Sequence, residues 1–252
     1  MSFRIDQLNG ILQFQITRPH IHNAVNHEVI EGLTLFIERM KQPDVHFGVI
    51  TGEGDKAFCS GGDLSVFHSL VTEAEAWEVH NRMAMLLYEL AVQPVPVIAL
   101  INGTAIGGGA EIASACDYRL IKKTAKAGFV QGRLAITSGW GGTTLLHEKG
   151  MRYDHLLQLT TEAEPLPADR LVDIGWATEV YDGDKWAALS KFVHKMKAHH
   201  PTVAKAYKEL LTTKLREAKV KERILNEARQ CAVLWEKEPH HAAVAQFLNR
   251  KK

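Results

Sequence analysis

Residues 103–117 read GTAIGGGAEIASACD and place one carboxylate, Glu111, in an otherwise apolar stretch of small residues. Three consecutive glycines, 107–109, come shortly before it, and Ile, Ala, Ser, Ala and Cys follow it. Removing a carboxylate from water is costly unless the group is paired, hydrogen-bonded or protonated. The pattern therefore predicts a short buried helix over residues 107–116 in which Glu111 has a specific partner or task.

The bulk composition is that of an ordinary globular protein. The chain has 252 residues, and its 30 basic and 29 acidic side chains leave a formal net charge of +1, which argues against binding to nucleic acid or another polyanion. The three cysteines are far apart and predict neither a disulfide framework nor a zinc site. The N-terminal residues lack an apolar signal segment, and no apolar run reaches the roughly 18 residues of a membrane span. We expect a soluble, reduced, cytoplasmic protein.

Strand and helix patterns alternate over roughly the first 180 residues, which predicts an α/β core followed by a helical appendage. Asn9-Gly10 separates two alternating segments and predicts a β-hairpin. The apolar runs 47–52 and 95–103 predict buried strands, and Asn26 is a predicted helix N-cap. The predicted helices cover residues 27–40, 73–92, 107–116, 139–149, 151–160 and 168–175, and three helical patterns follow from Trp186 onward.

Several stretches resemble known functional motifs, but the residues around them do not fit those motifs. TGEGDKAF (51–58) fits a dinucleotide fingerprint, but FCSGG follows where a helix should begin, and no acidic residue ends a second strand about 20 positions on. The 13 histidines occur without an H-E-x-x-H motif or a Cys/His array, so we expect no metal site. TSGWGG (137–142) resembles a hydrolase nucleophile elbow only loosely.

Two glycine turns remain as candidate binding features, CSGGDL (59–64) and IGGGAE (106–111). Asp63 is a predicted N-cap of a short helix in the first, and the second opens the helix that carries Glu111. Backbone N–H groups at helix starts are unpaired, and glycine allows a ligand to approach them closely. One N–H from each turn could form an oxyanion hole. Tight turns or close helix–strand packing would explain the same glycines.

Four ordered blocks and a terminal one carry a resemblance to a known family. They read RPHIHNAVN (18–26), AFCSGGDL (57–64), INGTAIGGGAEIASACDYRL (101–120), GWGGTTLL (139–146) and AVAQFLNRKK (243–252). In order and spacing they resemble the crotonase family of enoyl-CoA hydratases and isomerases. The match covers about residues 3–180 and resumes at the C-terminus.

This resemblance implies a fold, a substrate class and an assembly. The fold is an α/β spiral of ββα repeats, here over residues 1–190, followed by a C-terminal helical trimerisation region over 191–252. The substrate is an acyl-CoA thioester, so coenzyme A is part of the substrate and no separate cofactor or metal is expected. The partners are other copies of the chain in a homotrimer or homohexamer, with no nucleic acid and no membrane.

The resemblance also implies roles for individual residues. Gly62 and Gly108 align with the two oxyanion N–H donors, and Glu111 aligns with the first catalytic glutamate. The family members usually have lysines near CoA at the positions of His20 and Ser65, which is a departure in this chain. The implied substrate and CoA contacts are His20, Ile21, His22, Ala24, Asp63, Leu64, Trp140, Phe247 and Arg250, the last two at positions that reach a neighbouring subunit's CoA in some members.

The second catalytic glutamate of the family is replaced here by Gln131. An amide can hydrogen-bond a water but cannot exchange its proton, so a hydratase of this kind should be slow. The segment with Gln131 and SGWGGTT (138–144) is more similar to the branch that decarboxylates methylmalonyl- or ethylmalonyl-CoA. Loss of CO₂ leaves the same enolate and requires no base. The primary hypothesis is an acyl-CoA-processing enzyme of the hydratase/isomerase family, with an acid recruited from Asp63 or Glu148 as one variant. The alternatives are a decarboxylase and a non-catalytic acyl-CoA-binding homologue.

Overall fold

The computed structural model describes residues 1–249, apart from the side chain of Ala218. Arg250, an implied CoA contact, therefore lies outside the described residues. The strands are β1 (Phe3–Leu8), β2 (Ile11–Ile16), β3 (Phe47–Gly52), β4 (Ala57–Cys59), β5 (Val97–Ile101), β6 (Thr104–Ile106), β7 (Tyr118–Lys122), β8 (Lys126–Gly128), β9 (Leu166–Pro167) and β10 (Glu179–Tyr181). The helices are α1 (His27–Arg39), α2 (Leu64–Phe67), α3 (Glu73–Ala91), α4 (Gly108–Ala115), α5 (Gly142–Glu148), α6 (Tyr153–Thr161), α7 (Ala168–Asp173), α8 (Lys185–Lys197), α9 (Pro201–Thr212), α10 (Ala218–Trp235) and α11 (Glu238–Asn249).

The strands form two sheets, and the chain alternates between them. A six-stranded sheet has the order β1-β2-β3-β5-β7-β10, and a four-stranded sheet has the order β4-β6-β8-β9. From β3 to β8 each strand of the large sheet is followed by one of the small sheet, and neighbouring strands within each sheet are parallel. Each turn of the chain thus adds one strand to each of the two sheets, which confirms the predicted spiral of ββα repeats.

The central strands β3 and β5 of the large sheet are buried on both faces, which explains their continuous apolar runs. In β5, Ile98 and Leu100 point to the face that Leu189 and Val193 of α8 cover, and Ala99 points to the main core on the other face. The boundary expected at residues 190–191 falls inside α8.

Most predicted elements are confirmed, with two corrections. The helix predicted over 139–149 begins only at Gly142, because residues 139–141 form an arch whose amides bind a side chain instead. Four helices follow Trp186 within the described chain in place of three patterns, because Pro201 starts a new helix after α8 and a break at residues 236–237 separates α10 from α11. Asn26 caps α1 as predicted, and its Oδ1 accepts from the Val29 amide at 3.0 Å.

The long helix α10 packs against both α3 and α5. It therefore runs behind the start of α5, which in turn lies against α4. None of the helices over residues 1–249 is long and apolar enough to cross a membrane.

Candidate active site

Two glycine loops meet at the start of α4. Gly61 and Gly107 have φ values of +98° and +55°, a region that favours glycine, and each turns the following peptide. The loops touch, since a Cβ atom on Gly61 would lie 3.1 Å from the backbone nitrogen of Gly108. The amides of Gly62 and Gly108 have no acceptor within residues 1–249, and both residues line the same cavity. The two N–H groups are therefore free to bind a ligand oxygen.

The indole of Trp140 packs against the side of both glycines on which a Cβ atom would lie. A Cβ atom on Gly108 would come within 2.2 Å of Trp140 Cζ3, and one on Gly62 would lie 3.7 Å from Trp140 Cζ2. Gly108 is therefore required by packing as well as by access to its amide. The buried ring excludes water from one side of the paired N–H groups, which strengthens their interaction with an anion.

The cavity in front of the two amides has a volume of about 450 Å³. Glu111 and Gln131 are among its polar lining residues, and α10 and α11 contribute part of its wall. Large apolar side chains that line it are Leu64, Phe67, Leu70, Val79, Ile106, Val130, Leu134, Ile136, Trp140, Trp235 and Phe247. A pocket of this kind accommodates a mainly apolar group with few polar atoms near its reacting end.

Glu111 is almost completely buried, and four N–H groups bind its carboxyl. Oε1 accepts from the Gly139 amide at 3.2 Å, and Oε2 accepts from the amides of Trp140 and Gly142 at 2.8 and 3.1 Å. The fourth donor is Gln131, whose Nε2 lies 2.9 Å from Glu111 Oε1. The arch before α5 thus fixes the carboxyl in one orientation beside the cavity.

Burial raises the pKa of Glu111 to about 8, and the nearby carboxyl of Glu227 contributes further to the rise. The three backbone N–H donors act in the opposite direction but do not compensate. At neutral pH the Glu111 carboxyl therefore holds a proton. The Gln131 amide can donate to the ionised carboxylate or, after rotation, accept from the acid, so this contact suits both states.

A buried ion pair fastens the first glycine loop. Arg18 Nη2 lies 2.8 Å from Asp63 Oδ2, and the two side chains are 13% and 8% exposed. Asp63 Oδ1 also accepts from the Ser65 amide at 3.0 Å, which confirms it as the N-cap of α2. Backbone bonds from Val25 N to Gly61 O and from Asp63 N to Val25 O join the same two segments.

The residues implied as CoA contacts do not share one place in the structure. Leu64, Trp140 and Phe247 line the main cavity, Phe247 doing so in its own chain. His20 lines a separate surface cleft of about 330 Å³, and Ile21 and His22 follow it along the chain. Ala24 is buried, and its carbonyl accepts from Arg18 Nη1 at 2.7 Å.

The structure does not bring the two alternative acids to the cavity. Asp63 is paired with Arg18, and its pKa is lowered because hydrogen bonds from Ser65 and Arg18 outweigh the effect of burial. Glu148 is paired with Arg223 and Lys214 at 2.6 and 3.4 Å on the far end of α5. Neither lines the cavity, so neither provides a second carboxyl there.

Sequence reasoning missed Glu227, which stands in α10. Its Oε1 accepts from Ser138 Oγ at 2.6 Å and from the Thr143 amide at 3.2 Å, and its Oε2 accepts from the Thr144 amide at 2.8 Å. Its spacing in the sequence could have revealed it. Glu227 follows Ile224 by three residues and precedes Cys231 by four, which places it on the buried face of the helix. Across residues 1–249, no three His, Cys, Asp or Glu side chains are grouped so that they could hold a metal ion.

Two free amides opposite a proton-carrying carboxyl in an apolar cavity define a site suited to stabilising an oxyanion. The model of the enoyl-CoA hydratase/isomerase family matches residues 6–252, and the chain belongs to this family.

Relatives with different reactions are similar to this chain. An ethylmalonyl-CoA decarboxylase from Xenopus laevis is 30% identical over 184 residues, which cover 73% of this chain and 61% of the relative. A short-chain-enoyl-CoA hydratase from Clostridium acetobutylicum is also 30% identical, over 78% of this chain and 75% of the relative. The chain thus spans less than two thirds of the frog decarboxylase.

Solved structures in the same family have the same fold. An enoyl-CoA hydratase from Bacillus halodurans superposes with a TM-score of 0.88 at 19% identity, over 98% of this chain and all of that one. The confirmed architecture is therefore the crotonase-type fold.

Proposed function

We propose that the chain acts on an acyl-CoA thioester through an enolate that the amides of Gly62 and Gly108 stabilise. The observation that carries this proposal is the convergence of two unpaired N–H groups and the Glu111 carboxyl on one apolar cavity. The thioester oxygen accepts from both amides, and C2 of the acyl group lies near Glu111. Charge that develops on the oxygen is then stabilised by donors fixed in advance by the two glycine turns.

Decarboxylation of a substituted malonyl-CoA is the reaction that the site supports best. In this reaction the C2–carboxylate bond breaks, its electron pair forms the enolate, and CO₂ leaves. Protonated Glu111 then gives its proton to C2 and is re-protonated from solvent. The raised pKa of Glu111 supports this role, because a carboxyl that holds its proton at neutral pH can act as the acid.

Hydration is less well supported by the arrangement of Glu111. Adding water needs a base that holds and deprotonates the water. The two Glu111 oxygens already accept from four N–H groups, one of them the Gln131 amide that stands where the family has its second glutamate. The named reaction of the decarboxylase relative agrees with this preference.

The experiment offers ethylmalonyl-CoA and crotonyl-CoA separately to the purified protein. We expect butyryl-CoA and CO₂ from the first substrate, much slower hydration of the second, and loss of turnover in Glu111→Gln. Robust hydration of crotonyl-CoA that Glu111→Gln abolishes would instead establish a hydratase. A protein that binds both thioesters without turning over either would be the non-catalytic homologue.

We also propose that the chain assembles into a homotrimer or homohexamer. Large apolar side chains are exposed in a helical pattern on α6 and α9, as expected for a surface that another copy covers. These side chains are Tyr153, Leu157, Val203, Tyr207, Leu210 and Leu211.

Light scattering should give the mass of three or six chains. Leu211→Glu should reduce it, while Val71→Glu, at another exposed apolar position, should not. A single-chain mass for the unaltered protein would contradict the proposal.

A further inference from the structure

Glu111 and Glu227 bind successive amides at the start of α5. The Gly142 amide donates to Glu111 Oε2 at 3.1 Å, and the amides of Thr143 and Thr144 donate to Glu227. The two carboxyls therefore approach the same helix end from two sides, Glu111 from α4 and Glu227 from α10. Like charges placed this way cannot both be ionised without a large cost, since burial disfavours each charge and they repel each other.

Glu227 does not line the cavity, so it has no direct contact with a substrate held there. Its carboxyl stands behind the arch that fixes Glu111, where Ser138 Oγ donates to it at 2.6 Å. Three donors, the Ser138 hydroxyl and the amides of Thr143 and Thr144, stabilise a negative charge on this carboxyl.

The negative charge of the pair resides on Glu227. As a whole residue Glu227 is less buried than Glu111, which is 2% exposed, although its carboxyl is enclosed by donors from Ser138, Thr143 and Thr144. It also accepts a short hydroxyl bond from Ser138, which stabilises an anion. Burial raises the pKa of both groups, and the proton stays on the more buried Glu111.

We infer that Glu227 is a positioning residue for the proposed reaction, because its fixed negative charge keeps the proton on Glu111. The inference rests on the proposed function for its catalytic meaning, since the proton held on Glu111 is the one that C2 of the enolate receives. The charge effect itself can be measured without turnover.

The other ionisable groups around the pair do not supply this charge. His80 of α3 is neutral at pH 7, because burial lowers its pKa to about 4 and nearby His240 adds to the effect. The thiol of Cys231, one turn beyond Glu227 in α10, stays protonated because burial raises its pKa. Arg133, at the cavity wall, pairs with Glu164 at 2.5 Å, and Glu148 of α5 pairs with Arg223.

The test compares Glu227→Gln with Glu222→Gln, which removes an exposed carboxylate from the same helix. Infrared difference spectra against Glu111→Gln isolate the carboxyl band of protonated Glu111 and follow its loss as pH rises. In Glu227→Gln we expect the midpoint of this titration to fall by about one pH unit or more. The pH at which turnover declines should fall equally, and Glu222→Gln should leave both unchanged.

An unchanged Glu111 titration in folded Glu227→Gln would overturn the inference and leave Glu227 as a cap of α5 only. If Glu227→Gln does not fold, the Glu111 titration is measured in Ser138→Ala instead. Loss of the hydroxyl donor makes Glu227 harder to ionise, so the Glu111 midpoint should fall by a smaller amount, and no fall would overturn the inference. A protein without turnover whose infrared midpoint still falls would refute the proposed function and retain the coupling.

Discussion

The amide of Gln131 donates directly to the carboxyl of Glu111, with 2.9 Å between Nε2 and Oε1. Two groups that share a bridging water lie roughly 5 Å apart, since each bond to the water spans about 2.8 Å. The direct contact therefore leaves no place between these two groups for a water that both would hold and activate. Because residue 131 is a glutamine, Glu111 is the single carboxyl among the cavity-lining residues of the described chain.

Gln131→Glu should shift the site towards hydration. A second carboxyl would contact Glu111, and mutual repulsion would leave one of the two ionised and able to act as a base. We expect hydration of crotonyl-CoA to increase by at least about 10-fold. Loss of the enoyl absorbance measures the change.

The matched control is Gln131→Leu, which removes the amide without adding a carboxyl. It should not gain hydration. If Gln131→Glu also gained none while decarboxylation stayed at the level of the unaltered protein, residue 131 would not be the determinant of the reaction.

Gly108→Ala should disable the paired amides through Trp140. The new Cβ would lie 2.2 Å from Trp140 Cζ3, so either the ring or the start of α4 must move. Misalignment of one oxyanion donor costs about 10²–10³ in kcat. Steady-state kinetics of the purified variant measure this loss.

The double variant Gly108→Ala, Trp140→Leu tests the cause. Removing the ring makes room for the methyl group. Gly108→Ala should therefore lower the rate less when it is added to Trp140→Leu than when it is made in the unaltered protein. A double variant no faster than Gly108→Ala would show that the ring is not what displaces the amide.

The contribution of Glu111 to protein stability should decrease as pH rises from about 4.5 to about 8, whereas that of buried His80, whose pKa is lowered to about 4, increases up to about pH 6.5. The folded state holds a proton on Glu111 up to a pKa of about 8, whereas an unfolded glutamate loses it near the ordinary value of 4.5. Folding therefore favours the protonated form, and the free energy of unfolding falls through this window as the unfolded chain alone releases its proton. Thermal unfolding across this range should show a smaller decline in Glu111→Gln. Parallel curves for the two proteins would contradict a raised pKa.

Arg18→Met should destabilise the protein because it leaves the buried carboxylate of Asp63 unpaired. Breaking such a pair costs about 3–5 kcal/mol, whereas exposed pairs contribute roughly 0–1 kcal/mol. Arg4→Met, which breaks the exposed pair with Asp6, is the matched control. Urea unfolding measures both, and equal effects of the two variants would refute a structural role for the buried pair.

Local patterns determined most of what could be predicted from the sequence. The Asn9-Gly10 turn, the apolar runs of β3 and β5 and the cap at Asn26 depend on neighbouring residues, and each was confirmed. The start of α5 was predicted three residues too early. Its amides bind Glu111, which lies about 30 positions away in the chain, so no local pattern reveals where the helix begins.

The electrostatics of the site depend on residues that are still farther apart along the chain. Glu227 reaches the start of α5 only because α10 packs against α3 and α5. The packing of helices that are distant in the sequence cannot be predicted from the spacing of residues within one helix. The resemblance implied that Gln131 and Glu111 occupy the positions of two catalytic glutamates, but not that their side chains are in direct contact. The length of this contact, which decides whether a water fits between them, required the folded chain.

The most direct test of enolate formation beside Glu111 is deuterium exchange at C2 of a bound thioester. Butyryl-CoA is incubated with the protein in deuterated water above pH 8, where Glu111 is ionised, and mass spectrometry follows deuterium at C2. We expect incorporation that depends on Glu111 and is lost in Glu111→Gln. Absence of exchange in the unaltered protein, or equal exchange in Glu111→Gln, would contradict enolate formation beside Glu111.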